Sequence, residues 1–181
     1  MSLVHDLGAV IGQELRAYYN GKIHNSLDTW SPTININRDP RWVSDDRGPP
    51  VAAHCLTYSL LFPSLLLLRW QYILNRTKGR NVESPGEDPF LAGSYGSAYT
   101  RGLQRLEDEK ETGVVQAVAS LKHFFAYSLE RYNNSACKNG QCVRTNFDAN
   151  VSAYDIAHTY FPGWQMTIEE GGALGVMCSC E

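Results

Sequence analysis

The stretch that decides the fold is Val114-Val115-Gln116-Ala117-Val118-Ala119-Ser120-Leu121-Lys122-His123-Phe124-Phe125. It is apolar and β-branched at its start, and it reads as a strand. On its N-terminal side Glu107 to Glu111 is a charged surface loop, preceded by a helix over Phe90 to about Leu106. Asp88 is placed to cap that helix and Pro89 takes its first position. The small residues Ala92, Gly93, Gly96 and Ala98 permit close packing along it. On the C-terminal side a polar loop, Glu130 to Asn146, holds Cys137 and Cys142. Ser152 or Asp148 then caps a helix over Ala153 to Glu169, which Gly171-Gly172 ends, and Ala173 to Cys178 reads as a short buried strand. Further upstream, Leu3, Leu7, Val10, Ile11, Leu15 and Tyr18 recur every three or four residues, predicting an amphipathic helix over 3–19 that Asn20-Gly21 stops. Thr29 to Asn37 alternates as a strand and runs into the polar turn Arg38-Asp39-Pro40-Arg41-Trp42. Strands alternating with helices argue for a parallel α/β architecture.

Composition narrows the function classes. The 181 residues give room for one domain, or for one domain and a linker. With 43% hydrophobic and 19% charged residues the chain is globular rather than disordered. A net charge of -3 with no basic stripe argues against nucleic acid as a partner. His5, His24, His54 and His158 lack ligand spacing, so no metal or other cofactor is expected. No Ser-His-Asp set, phosphate loop or dinucleotide fingerprint is present. Asn75, Asn133 and Asn150 are glycosylation acceptors, and five cysteines leave at least one unpaired within the chain. Both features lean towards secretion, yet Met1-Ser2-Leu3-Val4-His5-Asp6 has neither the basic start nor the apolar core of a signal peptide.

Residues 43–78 change character. They open with Asp45-Asp46-Arg47-Gly48-Pro49-Pro50 and continue into the apolar run Leu60 to Leu68. The apolar part, Cys55 to Leu68, covers 14 residues with Pro63 inside it. A spanning helix needs about 20, so a membrane partner is not expected.

With 43–78 deleted, Trp42 joins Gly79, and the text resembles family 3 glycoside hydrolases, specifically their fungal and plant β-xylosidase branch. Thr29-Trp30-Ser31-Pro32-Thr33-Ile34-Asn35-Ile36-Asn37 resembles that branch's Trp-Ser/Thr-Pro-Asn-Ile-Asn. Arg38-Asp39-Pro40-Arg41-Trp42 followed by Gly79-Arg80 resembles its Arg-Asp-Pro-Arg-Trp-Gly-Arg, and Glu83-Ser84-Pro85-Gly86-Glu87-Asp88-Pro89 its Glu-Thr-Pro-Gly-Glu-Asp-Pro. Leu121-Lys122-His123-Phe124, continuing to Glu130, resembles Lys-His-Phe-Ala-Ala-Tyr-Asp-Leu-Glu. Arg144-Thr145-Asn146-Phe147-Asp148-Ala149 resembles Arg-x-x-Phe-Asp-Ala, and Gly175-Val176-Met177-Cys178-Ser179 resembles Gly-x-Met-Cys-Ser. The matches run in order across residues 1–42 and 79–179.

The resemblance implies a partial (β/α)8 barrel of TIM type, incomplete at both ends, from a secreted enzyme of xylan breakdown. Residues 1–42 and 79–181 would be the barrel part, and 43–78 an insertion that a translated intron would explain. A spliced transcript retaining all 36 of those codons would refute the intron reading. Such enzymes release terminal β-1,4-xylosyl residues with retention, using two carboxyl groups about 5 Å apart. Both the nucleophile and the acid/base are expected beyond Glu181, so the chain alone is expected to turn over nothing. The resemblance assigns Arg80, Lys122, His123 and Arg144 to holding sugar hydroxyls of a xylo-oligosaccharide. Arg supplies a rigid fork of donors and Lys a compact ammonium. Glu83, Glu87 and Asp88 are read as turn and cap residues rather than catalytic acids. Departures are Cys180 where the family has Tyr and Ser128 where it has Asp. A β-glucosidase or α-arabinofuranosidase of the same family is the alternative, and a non-catalytic sugar-binding fragment is another. Cys137 and Cys142 would pair in an oxidising compartment or stand free.

Overall fold

The computed structural model describes residues 1–37, 80–105, 114–127, 129–133, 140–145 and 150–179. The insertion 43–78, the charged loop over 107–111, and Cys55, Cys137, Cys180, Asn75 and Ser128 lie outside these. The chain forms two compact units. The first comprises Met1–Asn37, Ser84–Tyr127 and Asp148–Glu181; the second comprises Arg38–Glu83 and Ser128–Phe147.

The first unit opens with helix α1, Ser2–Asn20. The strand that follows is shorter than its alternation suggests: β1 is Asp28–Thr29, and after the Ser31-Pro32 break the chain rejoins the sheet through a parallel bridge from Thr33 to Lys122. Helix α2, Pro89–Gln104, starts where its cap signal says: the Asp88 carboxylate accepts from the Phe90 N–H at 3.0 Å. It ends two residues before the expected Leu106, at Arg105 in the left-handed region (φ 49°). Strand β2 is Val118–Phe124, the second half of the apolar stretch. A single α turn, Ala153–Asp155, is capped by the Ser152 hydroxyl, which accepts from the Asp155 N–H at 3.1 Å. It passes through a π turn, Ile156–Tyr160, into helix α3, Phe161–Glu169. Strand β5, Gly175–Cys178, follows the two glycines.

The sheet order is β1-β2-β5. Both pairings are parallel, Asp28 opposite Val118 and Leu121 opposite Val176. The described residues of the first unit therefore form an α/β unit of parallel strands joined through helices, as the alternation predicts. β5 departs from expectation: it is half exposed rather than buried, with Leu174 and Val176 facing solvent.

The helix contacts are set by glycine. A Cβ on Gly8 would strike the Tyr99 carbonyl, one on Gly12 the Leu103 carbonyl, and one on Gly102 the His5 carbonyl. α1 and α2 therefore meet backbone to backbone. This turns Val4, Ile11 and Leu15 onto the core of Tyr99, Leu103, Ala117 and Ala119. It also corrects the expected apolar face: Leu3, Leu7, Val10 and Tyr18 are 80%, 51%, 54% and 52% exposed. On the opposite side of α2, a Cβ on Gly93 would lie 2.7 Å from the Met166 sulfur of α3. A second core, Ile34, Leu121 and Trp164, fills the space between sheet and α3.

Two polar side chains pin this packing. The Arg16 guanidinium donates to the Gln116 and Val115 carbonyls at 2.8 and 2.6 Å. Gln104, fully buried at the end of α2, donates to the Gly172 carbonyl at 2.8 Å and accepts from the Ala119 and Leu174 N–H groups at 3.1 and 3.3 Å.

In the second unit the interval read as a polar loop carries an antiparallel ladder. Strands β3, Arg131–Asn133, and β4, Gln141–Val143, pair with Tyr132 opposite Cys142. The Arg144 N–H extends it by donating to the Glu130 carbonyl at 3.1 Å. Cys142 is buried and disulfide-bonded, and Cys178 is a free, exposed thiol in the first unit. A short 3-10 turn, Arg80–Glu83, precedes Ser84.

Candidate functional site

Lys122 and His123 sit at the C-terminal end of β2, the position where parallel α/β proteins gather their functional groups. The main chain there is held from one side by the Thr29–Asn37 segment. Lys122 donates its N–H to the Pro32 carbonyl at 3.1 Å, and its carbonyl accepts from Ile34 at 2.8 Å. On the other side Lys122 lies opposite Met177 of β5.

His123 is only 4% exposed and Asn35 3%. The Asn35 amide bonds the His123 main chain twice, accepting from its N–H at 2.6 Å and donating to its carbonyl at 2.9 Å. The His123 Nδ1 lies 3.2 Å from the Asn35 Oδ1, and Tyr127 meets the imidazole edge-on, 4.9 Å between centroids. Beyond them stands an aromatic layer. Phe124 meets Trp164 edge-on at 5.1 Å, and Phe125 stacks on Phe161 at 5.6 Å. These rings pack against the strand end and fix its side chains.

Arg80 and Arg144 belong to the second unit and converge on one carboxylate, Glu130. Arg80 donates to Glu130 Oε1 at 2.7 Å, and the Arg144 guanidinium stands 3.7 Å from Oε2. Arg80 also donates to Glu83 at 3.0 Å. The Arg80 and Glu130 side chains are 14% and 13% exposed, so this pair is shielded from solvent competition. Glu83 thus serves as an ion-pair partner, Asp88 as the expected cap, and Glu87 is exposed.

The structure therefore assembles the four expected residues as two pairs, Lys122 with His123 in one unit and Arg80 with Arg144 in the other. Sequence reasoning assigned no role to Asn35 or Glu130, although both stand inside the motifs quoted for the resemblance. Asn35 lies between Ile34 and Ile36 in an alternating segment, which reads as an outward polar position. Only its partner 88 residues away reveals its burial. Among the described residues no group of His, Cys, Asp and Glu could hold a metal ion, and no helix is long and apolar enough to cross a membrane.

No protein-family model matches the chain. Known proteins do. A probable β-D-xylosidase 7 of Arabidopsis thaliana is 36% identical over 176 residues, 96% of this chain and 17% of its own length. A β-xylosidase/α-L-arabinofuranosidase 1 of Medicago sativa subsp. varia is 31% identical over 98% of this chain, again 17% of its own length. Among solved structures, a GH3 exo-β-xylosidase in complex with a xylobiose aziridine probe superposes with a TM-score of 0.67 at 24% identity, over 98% of this chain and 17% of that one. A β-glucosidase from Listeria innocua gives a TM-score of 0.60 at 25% identity, over 99% and 18%. This chain thus spans about a sixth of the length of the relatives it matches. Over nearly all of its own length, it is similar to one stretch of these plant β-xylosidases.

Proposed function

We propose that the chain is a sugar-holding portion of a β-xylosidase, with Lys122 and His123 of the first unit contacting a xylosyl residue of a xylo-oligosaccharide, and with Arg80 and Arg144 of the second unit as further sugar-contacting residues. The observation that carries this reading is the position of Lys122 and His123 at the C-terminal end of a central parallel strand, in a chain that aligns with β-xylosidases along nearly its whole length. β1, β2 and β5 with their helices are then consecutive units of a (β/α)8 barrel, whose C-terminal strand ends hold substrate. Charged donors fixed by burial and ion pairs complement ring hydroxyls at little cost in reorganisation.

The disulfide at Cys142 and the exposed acceptor Asn150 support a secreted protein, with Asn133 and Asn150 as the glycosylation sites. The name of the Medicago relative supports α-L-arabinofuranosides as a second substrate class. Isothermal calorimetry with xylobiose and cellobiose tests the reading. Binding of xylobiose over cellobiose is expected. No preference between the disaccharides would refute it.

A further inference from the structure

The Asn35–His123 contact determines more than position. The Asn35 Nδ2 donates to the His123 carbonyl at 2.9 Å, and Oδ1 accepts from the His123 N–H at 2.6 Å. This pair fixes which end of the amide is oxygen. The flipped amide would set NH2 against N–H and oxygen against carbonyl, losing both bonds. The same Oδ1 faces the ring Nδ1 at 3.2 Å. An amide oxygen only accepts, so the ring nitrogen facing it carries the hydrogen. In the neutral imidazole the lone pair then belongs to Nε2. Both residues are almost fully buried, so water does not compete for Oδ1. Tyr127, edge-on at 86°, packs against the imidazole and limits its rotation.

We infer that Asn35 is the positioning residue for His123, holding its neutral ring in the Nδ1–H form, which leaves Nε2 as the ring's hydrogen-bond acceptor. The consequence for the site rests on the proposed sugar-holding role. Lys122 beside it only donates, whereas each sugar hydroxyl has a hydrogen to give as well as lone pairs to offer. A His123 acceptor supplies the complementary half. A pocket built from donors alone would leave hydroxyl hydrogens without a partner at a buried position, which is costly.

Long-range 15N–1H correlation spectra of the 15N-labelled chain, at a pH where His123 is neutral, test this directly and need no variant. The expected spectrum has the hydrogen on Nδ1; a hydrogen on Nε2 in the unmodified chain would overturn the inference. Asn35→Asp keeps the acceptor and adds a negative charge beside the ring. It should leave the hydrogen on Nδ1. A correctly folded Asn35→Asp protein with the hydrogen on Nε2 would also overturn it. Xylobiose is added last. If the tautomer is as expected and xylobiose leaves the Nε2 signal unchanged, the sugar-holding reading of His123 fails while the role of Asn35 stands.

Discussion

Replacing Gln104 by Leu tests how the α2–sheet junction is held. The side chain is fully buried and makes three hydrogen bonds, to the Ala119 N–H, the Leu174 N–H and the Gly172 carbonyl. Leucine is similar in size and can make none of them. The Ala119 N–H belongs to a fully buried residue, so leaving it unpaired costs about 1–3 kcal/mol. The other two groups are part-buried, and water recovers some of their loss; together they cost roughly 1–3 kcal/mol more. Leucine returns about 1–2 kcal/mol through its extra apolar burial. The net destabilisation centres on about 2.5 kcal/mol, a large fraction of the ~5–15 kcal/mol that holds a typical domain. With a urea slope near 2 kcal/mol per molar, the midpoint should fall by about 1 M. Fluorescence of Trp164, only 2% exposed in the core beneath α3, is a suitable probe of equilibrium unfolding. A midpoint within about 0.3 M of the unmodified protein would refute the reasoning, because it would mean the three groups find partners elsewhere at no cost.

Glu130→Leu should destabilise the second unit by about 1–3 kcal/mol, since it removes the carboxylate shared by Arg80 and Arg144. The readout is faster amide exchange along β3 and β4, and unchanged exchange there would sink the account. The phenol of Tyr95, half-buried and stacked 6.0 Å from Tyr99, has its pKa raised above the usual 10.0, chiefly by burial and then by Tyr99. The unfolded chain releases this proton first as pH rises, so stability supplied by the neutral phenol is complete below about pH 10 and is lost as pH climbs through the folded value. Tyr95→Phe should flatten part of the alkaline fall in stability, measured by urea midpoints across pH 9–12, and an identical slope in both proteins would contradict it.

What could be read from sequence followed the range of the forces involved. Asp88-Pro89 marked the start of α2 because capping is local chemistry, and Ser152 did the same for the turn leading to α3. Of the periodic residues of α1, Ile11 and Leu15 do reach the core, but Leu3, Leu7, Val10 and Tyr18 do not, because this interface is chosen by the absence of side chains at Gly8 and Gly12. The four expected sugar-holding residues came from ordered motifs, which preserve residue identity but are silent on partners. The contacts that orient them, Asn35 to His123 and Arg80 to Glu130, join positions 88 and 50 residues apart, and no local pattern encodes such pairs.

The pairing of β1 with β2 has a consequence for chain topology. The Thr29 hydroxyl donates to the Val118 carbonyl 89 residues further on, so the central strand closes a very long loop. Residues 43–78 account for 36 of those positions. Loop-closure entropy grows only logarithmically, at about 0.6 kcal/mol per doubling of length. Excising that stretch would leave a loop of roughly 50 residues, less than one halving, and would ease closure by under about 0.6 kcal/mol. The polymer physics of the tether therefore tolerates this interruption almost without penalty, and the sheet that carries Lys122 and His123 forms on either side of it.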